Sequence, residues 1–422
     1  MTERLLQFIW QFQYYNKMEL QLVNGEPLQI IHPGTYNSNQ GPDFSQARIK
    51  IGHTVFAGTI ELHVRSTDWQ KHNHDTDKNY NNVILHVVWF NEAGKRKDIP
   101  VLELHNRVPV LLLQKYEQWM IQPVSIPCNQ QLIEVNDLIW TSWKDRLLAE
   151  RLLRKSHSIQ QYLLQNNQHW EETFWWLLAR HFGASVNAMA FEEIAKSIPL
   201  KVMAKSQTQI HQLEALLFGQ AGLLENKFDE EYPNLLRAEY NFLKTKYRLH
   251  KIAQPIFFLR MRPMNFPTIR LAQLAMTIHR STHLFSQIKE IDSLETVKKL
   301  FDITANDYWH YHYVFDESTS CMPKKVGAQL FNSIVINVLS PMLFTYAKLK
   351  DEPLLKNKAF RWMQETHAEK NTITNIFLQL GMISKNACDS QSFIELKTEY
   401  CDNKRCLDCS VGNALLKNAT IV

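Results

Sequence analysis

The chain reads as a small α/β domain followed by a larger all-helical domain, an α+β organisation. Three observations carry that reading. The first is period-two patterning before residue 125: from Thr59 to Arg65, Thr59, Glu61, His63 and Arg65 alternate with Ile60, Leu62 and Val64. The second is Gln122-Pro123-Val124-Ser125-Ile126-Pro127-Cys128, whose prolines interrupt regular structure. The third is a helical period over nearly everything that follows. The expected division is therefore 1–125 and 126–422.

In chain order, Arg4 to Tyr15 has the apolar spacing of an amphipathic helix and Leu28 to His32 that of a strand. Gly41-Pro42-Asp43-Phe44 is a turn leading into a second strand, and Thr59 to Arg65 belongs to a third. Ser66-Thr67-Asp68-Trp69 has the composition of a helix N-cap. His86 is the only polar residue in Val83 to Phe90, and so apolar a run predicts a central strand covered on both faces. Beyond residue 125, helices are predicted over Leu138–Gln165, Trp170–Phe182, Ala188–Ile198, Thr208–Leu217, Tyr232–Ile252, Thr268–Ile288 and Val326–Leu349. Trp140 to Leu153 is strongly amphipathic, Trp175, Trp176 and Trp309 read as core, and no fixed-period repeat is evident.

A length of 422 residues is enough for two or three domains with sizeable cores. Hydrophobic content of 45%, charged content of 21% and only 12 glycines and 15 prolines exclude a low-complexity chain. The N-terminus lacks the shape of a signal peptide, and no apolar run approaches the ~18 residues of a membrane span. The expectation is a soluble cytoplasmic protein without a membrane partner. No phosphate-binding Gly-Lys-Ser/Thr loop, dinucleotide glycine fingerprint or Gly-x-Ser-x-Gly elbow is present, so nucleotide hydrolysis, NAD binding and acyl transfer lack a visible site.

The chemistry concentrates near the N-terminus. Asp43 and Glu61 lie on consecutive predicted strands, and two converging carboxylates suit a hard cation such as Mg²⁺ or Mn²⁺. Such a cation lowers the pKa of a bound water and polarises a phosphoryl oxygen. Seven of the 17 histidines fall before residue 110. Of these, His63 shares a strand face with Glu61, while His72, His74 and His86 are candidate auxiliary ligands or bases.

The order of helix, strand, Pro-Asp strand, Glu-x-basic strand, short helix and buried strand resembles the core of the PD-(D/E)XK nuclease superfamily. Pro42-Asp43 and Glu61-Leu62-His63 stand in its motif positions, over about residues 1–110. The resemblance implies a PD-(D/E)XK-like mixed sheet for the small α/β domain, and that Asp43 and Glu61 hold Mg²⁺ or Mn²⁺. His63 stands where the superfamily has a lysine that positions water or stabilises charge, with Lys71 or Lys50 as substitutes from elsewhere. Over its full length the chain resembles an uncharacterised bacterial family, domain of unknown function 2851. The phrases that carry this are Gly41-Pro42-Asp43-Phe44, Gly58 to His63, Asn82 to Val88, Arg262-Pro263-Met264-Asn265-Phe266-Pro267 and Tyr400-Cys401. That family brings no activity with it.

Two further features stand outside the N-terminal region. Asn241 to Arg270 holds Lys244, Lys246, Arg248, Lys251, Arg260, Arg262 and Arg270, no acidic residue, and interleaved Tyr247, Phe257, Phe258 and Phe266. Basic groups beside stacking rings form either a single-strand-binding surface or a solvated helix face over core aromatics. Near the C-terminus, Cys401, Cys406 and Cys409 have the spacing C-x4-C-x2-C, suited to wrapping an iron–sulfur cluster or Zn²⁺. Cys128, Cys388 and Cys321 are candidates for a fourth ligand. A centre that includes Cys128 would staple the two ends of the helical domain, an arrangement similar to the iron–sulfur staples of some RecB-type nucleases. The functional expectation is a metal-dependent nuclease acting on DNA or RNA. The alternatives are a catalytically silent nucleic-acid-binding scaffold and a His/carboxylate metalloenzyme for a small molecule.

Overall fold

A computed structural model of the chain describes residues 1–422 except Ser38, 93–98, Arg260 and 420–422. It divides into two compact units, one formed by 1–143 with 395–422 and the other by 144–394. The boundary expected near 125 therefore falls inside the first unit. Because the cysteine-bearing tail also packs there, this unit is assembled from both ends of the chain.

The first unit opens with helix α1 (Glu3–Phe12), capped at its N-terminus by the Thr2 hydroxyl accepting from the Leu5 amide. The helix stops because Gln13 enters the left-handed region at φ 55°. Its buried face (Leu5, Leu6, Phe8, Ile9 and Trp10) packs on the sheet, while its polar face carries Glu3 and Gln7. The strands are β1 (Leu28–His32), β2 (Thr35–Tyr36), β3 (Phe44–Ile51), β4 (Thr54–Arg65), β5 (Val83–Phe90) and β6 (Val101–Glu103).

Spatial order is β1-β3-β4-β5-β6, with β2 also pairing with β3. β1, β3 and β4 are mutually antiparallel, whereas β4, β5 and β6 run parallel, so the sheet is mixed. The β4-to-β5 crossover is long enough for a parallel connection and holds the short helix α2 (Asp68–Lys71). Thr67 precedes α2 with helical backbone angles and no side-chain cap bond, unlike the expected N-cap. As predicted, β5 is buried almost throughout.

Strand register bears directly on chemistry. Phe44 pairs with Ile60 but Ala47 pairs with Gly58, so β3 contains one extra residue. Gln46 absorbs it with φ 58°, forming a β-bulge. One step beyond the Phe44–Ile60 pair, the bulged register sets Asp43 opposite Glu61. Gly41, at φ 102°, makes the turn that delivers Pro42-Asp43 into β3, a backbone conformation that costs glycine least.

The tail returns to this unit by named bonds. Arg4 Nη2 donates to Asp408 Oδ1 at 2.5 Å, the Tyr14 hydroxyl to Asn413 Oδ1 at 2.6 Å, and Lys115 Nζ to the Leu415 carbonyl at 3.1 Å.

The second unit is helical, with one continuous core that includes Trp175, Trp176, Phe218, Trp309 and Trp362. Trp170–Phe182 forms as expected. The single helix expected over Thr268–Ile288 is instead two, Pro267–Arg280 and Leu284–Glu290. The second starts where His283 turns left-handed, and the Glu171 carboxylate accepts from the amides of Phe285 and Ser286. The run expected over Val326–Leu349 is interrupted by a π-helical turn at Val335–Leu339, just before Pro341. A proline lacks the amide and crowds the preceding turn, and the wider π turn accommodates it. By length and composition Ala328–Lys350 is apolar enough to cross a membrane, contrary to the expectation that no run approaches that size. Yet 72% of its apolar window is buried inside the protein, as in a core helix.

Glu214 sits fully inside this core, accepting from the Tyr232 hydroxyl at 2.6 Å and from Trp309 Nε1 at 3.1 Å. Burial pushes its carboxyl up to about 7. A raised acid stabilises the fold below its unfolded pKa, and the contribution is lost as pH rises through the folded value. Here that loss is on the order of 3 kcal/mol between pH 4.5 and 8. Glu214→Gln, neutral at every pH, should flatten this dependence, so that the variant gains on wild type in urea unfolding at pH 8 relative to pH 5. Identical pH dependence in the two proteins would contradict the assignment.

Candidate metal centre

Asp43 and Glu61 hold each other through their backbones. The Asp43 amide donates to Glu61 Oε2 at 3.0 Å, and the Leu62 amide donates to Asp43 Oδ2 at 3.1 Å. From α1, Gln7 Nε2 donates to Asp43 Oδ1 at 2.8 Å. Each carboxylate oxygen of Asp43 thus has a donor and retains a further lone pair. Glu61 Oε1 faces the imidazoles, 3.4 Å from His74 Nε2 and 3.7 Å from His63 Nε2.

The parallel pairing of β4 with β5 sets His86 level with Glu61. His63 Nδ1 lies 2.9 Å from His86 Nε2, and His63 Nε2 lies 3.1 Å from His72 Nδ1. The segment after α2 brings in His72 and His74, so that His63, His72 and His74 each offer a ligand atom within 4.8 Å of the others. Two nitrogens bound at 2.0–2.1 Å to one tetrahedral ion stand roughly 3.4 Å apart. The His63–His72, His74–Glu61 and His63–Glu61 separations of 3.1, 3.4 and 3.7 Å bracket this value, so His63, His72, His74 and Glu61 Oε1 could hold one cation, with Asp43 beside it.

Trp69 of α2 orders the cluster. It is buried, its ring meets those of His63, His74 and His86 at centroid distances of 6.2, 5.2 and 5.1 Å, and its Nε1 donates to Asp75 Oδ1 at 3.0 Å. Tyr80 stacks on His74 at 3.8 Å. On the open side, His72 is exposed.

Burial sets the electrostatics. It raises the Asp43 carboxyl to about 7, and together with the Asp43 charge it raises Glu61 to about 8. Burial followed by the neighbouring imidazoles holds His63 down at about 3, so the ring is neutral at pH 7. A neutral ring carries one N–H and cannot supply the fixed charge of a lysine, but it can ligate or orient. Burial also raises Glu3, which senses His72 and Asp68.

The structure therefore brings together Asp43, Glu61, His63, His72, His74 and His86. It does not bring in the proposed lysine substitutes. Lys71 Nζ pairs with Asp68 at 2.6 Å, and Lys50 lies opposite Val55 in the β3–β4 hairpin. Sequence reasoning missed Glu3, Gln7, Trp69 and Tyr80. The four-residue spacing of Glu3 and Gln7 on the polar face of an amphipathic helix was a usable signal.

The basic stretch lies in the second unit. Lys244, Lys246, Arg248 and Arg262 are exposed there, and Lys251 pairs with Glu225. Arg270 departs from the expected phosphate-facing role: its guanidinium donates to Gln273 Oε1 at 2.9 Å and to Asn265 Oδ1 at 2.6 Å. Arg260 lies outside the described residues. Phe257 is exposed, while Phe266 and Tyr247 pack against the core.

The cysteines sort clearly. Cys128 joins Cys401, Cys406 and Cys409 around one cavity of the first unit. Cys388 belongs to the second unit with its sulfur near the Phe360 carbonyl, and Cys321 is exposed. Burial pushes the Cys406 thiol up to about 12 and Cys409 to about 11, and raises Cys128 and Cys401 as well.

No curated protein and no solved structure matches the chain. A family model described as "Protein of unknown function (DUF2851)" matches residues 3–372, and the chain belongs to that family.

Proposed function

We propose that the first unit is a divalent-metal-dependent phosphodiester hydrolase of the PD-(D/E)XK-like, nuclease type, acting on DNA or RNA. The observation that carries this reading is the reciprocal bonding of Asp43 and Glu61 beside three imidazoles with the spacing of one cation's ligands. The helix–strand order and the parallel β4–β5 pair agree with the resemblance. The exposed Lys244, Lys246, Arg248 and Arg262 support a polyanionic partner for the second unit.

The imidazoles shift the expected metal. Mg²⁺ prefers all-oxygen ligands, whereas imidazole suits Zn²⁺ and other transition ions, so Mn²⁺ or Zn²⁺ fits better than Mg²⁺. Such a cation supplies an acidified water and a polarised phosphoryl oxygen. Glu61, His63, His72 and His74 would hold it, and Gln7 orients Asp43. His63, neutral and oriented through its Nδ1 contact with His86, would present Nε2 as the ligand atom. The same three imidazoles also favour the second reading, a metalloenzyme for a smaller substrate.

Purified full-length protein with Mn²⁺, Zn²⁺ or Mg²⁺ should cleave single- or double-stranded DNA or RNA. Glu61→Gln should lower the rate roughly 100-fold or more, because the metal contributes several kcal/mol to the barrier. If His63 is a ligand, His63→Lys should lose both metal and activity. Cleavage of a small phosphodiester without cleavage of nucleic acid would favour the second reading. A metal-loaded protein inert on every substrate would sink hydrolysis in favour of a silent scaffold.

Cation binding should also depend on pH. Protons compete for the same carboxylates and imidazoles, and the raised Asp43 and Glu61 stabilise the metal-free fold at low pH, an effect lost through pH 7–8. The rise in melting temperature on adding Mn²⁺ should thus be larger at pH 8.5 than at pH 6. An increment that is equal at both pH values, or absent, would count against a metal centre here.

A further inference from the structure

We propose that Cys128, Cys401, Cys406 and Cys409 form a four-thiolate site for an iron–sulfur cluster within the first unit. This proposal is independent of the hydrolase reading and shares no residue with it. All four cysteines line one cavity, whose other walls include Leu132, Leu396, Tyr400 and Val411. Cys128, Cys406 and Cys409 are buried. Of the three upstream cysteines the sequence left open, only Cys128 lines this cavity.

The surroundings are shaped for sulfur. Cys409 immediately precedes the C-terminal helix Ser410–Asn418, and the nearby amides of Val411 and Gly412 and the Trp143 side chain favour its thiolate, against the burial that raises the thiol. Donors aimed at a ligating sulfur disperse thiolate charge and tune a cluster. Gly412 permits the close packing: a Cβ there would stand 2.2 Å from the Cys406 carbonyl oxygen. The turn that carries Cys406 can therefore lie against the helix only when this residue is glycine.

Sulfur spacing distinguishes a cluster from a single ion. One Zn²⁺ with bonds near 2.3 Å gathers its sulfurs to roughly 3.8 Å from one another. A cubane binds each thiolate at a separate iron, which sets the sulfurs roughly 6 Å apart. The cavity brings together the complete four-cysteine ligand set that such a cluster needs. Such a cluster would join the tail, 395–422, to the stretch before Trp143, both parts of the first unit.

The test is anaerobic purification of the full-length chain, followed by iron, zinc and acid-labile sulfide analysis and a visible spectrum. The expected result is about four iron and four sulfide per chain, with broad absorption near ~400 nm. Cys128→Ser and Cys406→Ser should lose most of the iron, while Cys388→Ser, Cys321→Ser and Glu61→Gln keep it. One zinc per chain without sulfide, or a metal-free protein, would overturn the proposal. So would full iron retention in Cys128→Ser. Should the ligand variants fail to fold, the wild-type stoichiometry and the Cys388→Ser control still decide.

Discussion

The first unit depends on the pairing of Asp43 with Glu61 across β3 and β4. Each acid takes an amide from the other's strand: Asp43 N–H reaches Glu61, and Leu62 N–H reaches Asp43. These two reciprocal bonds fix strand register as well as side-chain position. The bulge at Gln46 makes them possible, since without its extra residue the Phe44–Ile60 and Ala47–Gly58 pairs could not both form. α1 then closes on the sheet with Gln7 on Asp43, while the residue before Gln7's turn, Glu3, adds a third acid nearby.

A buried carboxylate among buried imidazoles is costly unless something compensates. Glu61, His63 and His86 are all at most 5% exposed. The fold compensates in part with hydrogen bonds, rings from Trp69 and Tyr80, and protonation of the acids. A divalent cation would compensate further, because it lets the carboxylate ionise and replaces a proton between imidazoles.

The tail explains why a unit built on residues 1–143 needs residues from the far end of the chain. Lys144 to Ile394 forms its own core, and the chain then returns to meet Arg4, Tyr14 and Lys115. A two-ended unit closes a very long loop, and its entropic cost grows only slowly with length. A cross-link between Cys128 and the C-terminal cysteines would fix those ends covalently to one centre.

By itself the sequence determined the mixed sheet, the helical remainder, the Asp43–Glu61–His63 set and the closeness of Cys401, Cys406 and Cys409. The helical remainder and the cysteine cluster rest on local period and spacing, which a chain carries without reference to its fold, while the mixed sheet and the Asp43–Glu61–His63 set also rest on the resemblance of their order along the chain. Only the tertiary structure decided the rest. The Gln46 bulge depends on which strand lies alongside, and the helix break at His283 depends on Glu171 arriving from another helix. Arg270 turned inward because Gln273 and Asn265 hold it, and that cannot be read from a count of basic residues. His72 and His74 come from the segment after α2 and His86 from β5, and Cys128 is far upstream of its neighbours. Their convergence required a parallel β4–β5 register and a returning tail, both set by packing between segments that are distant in sequence.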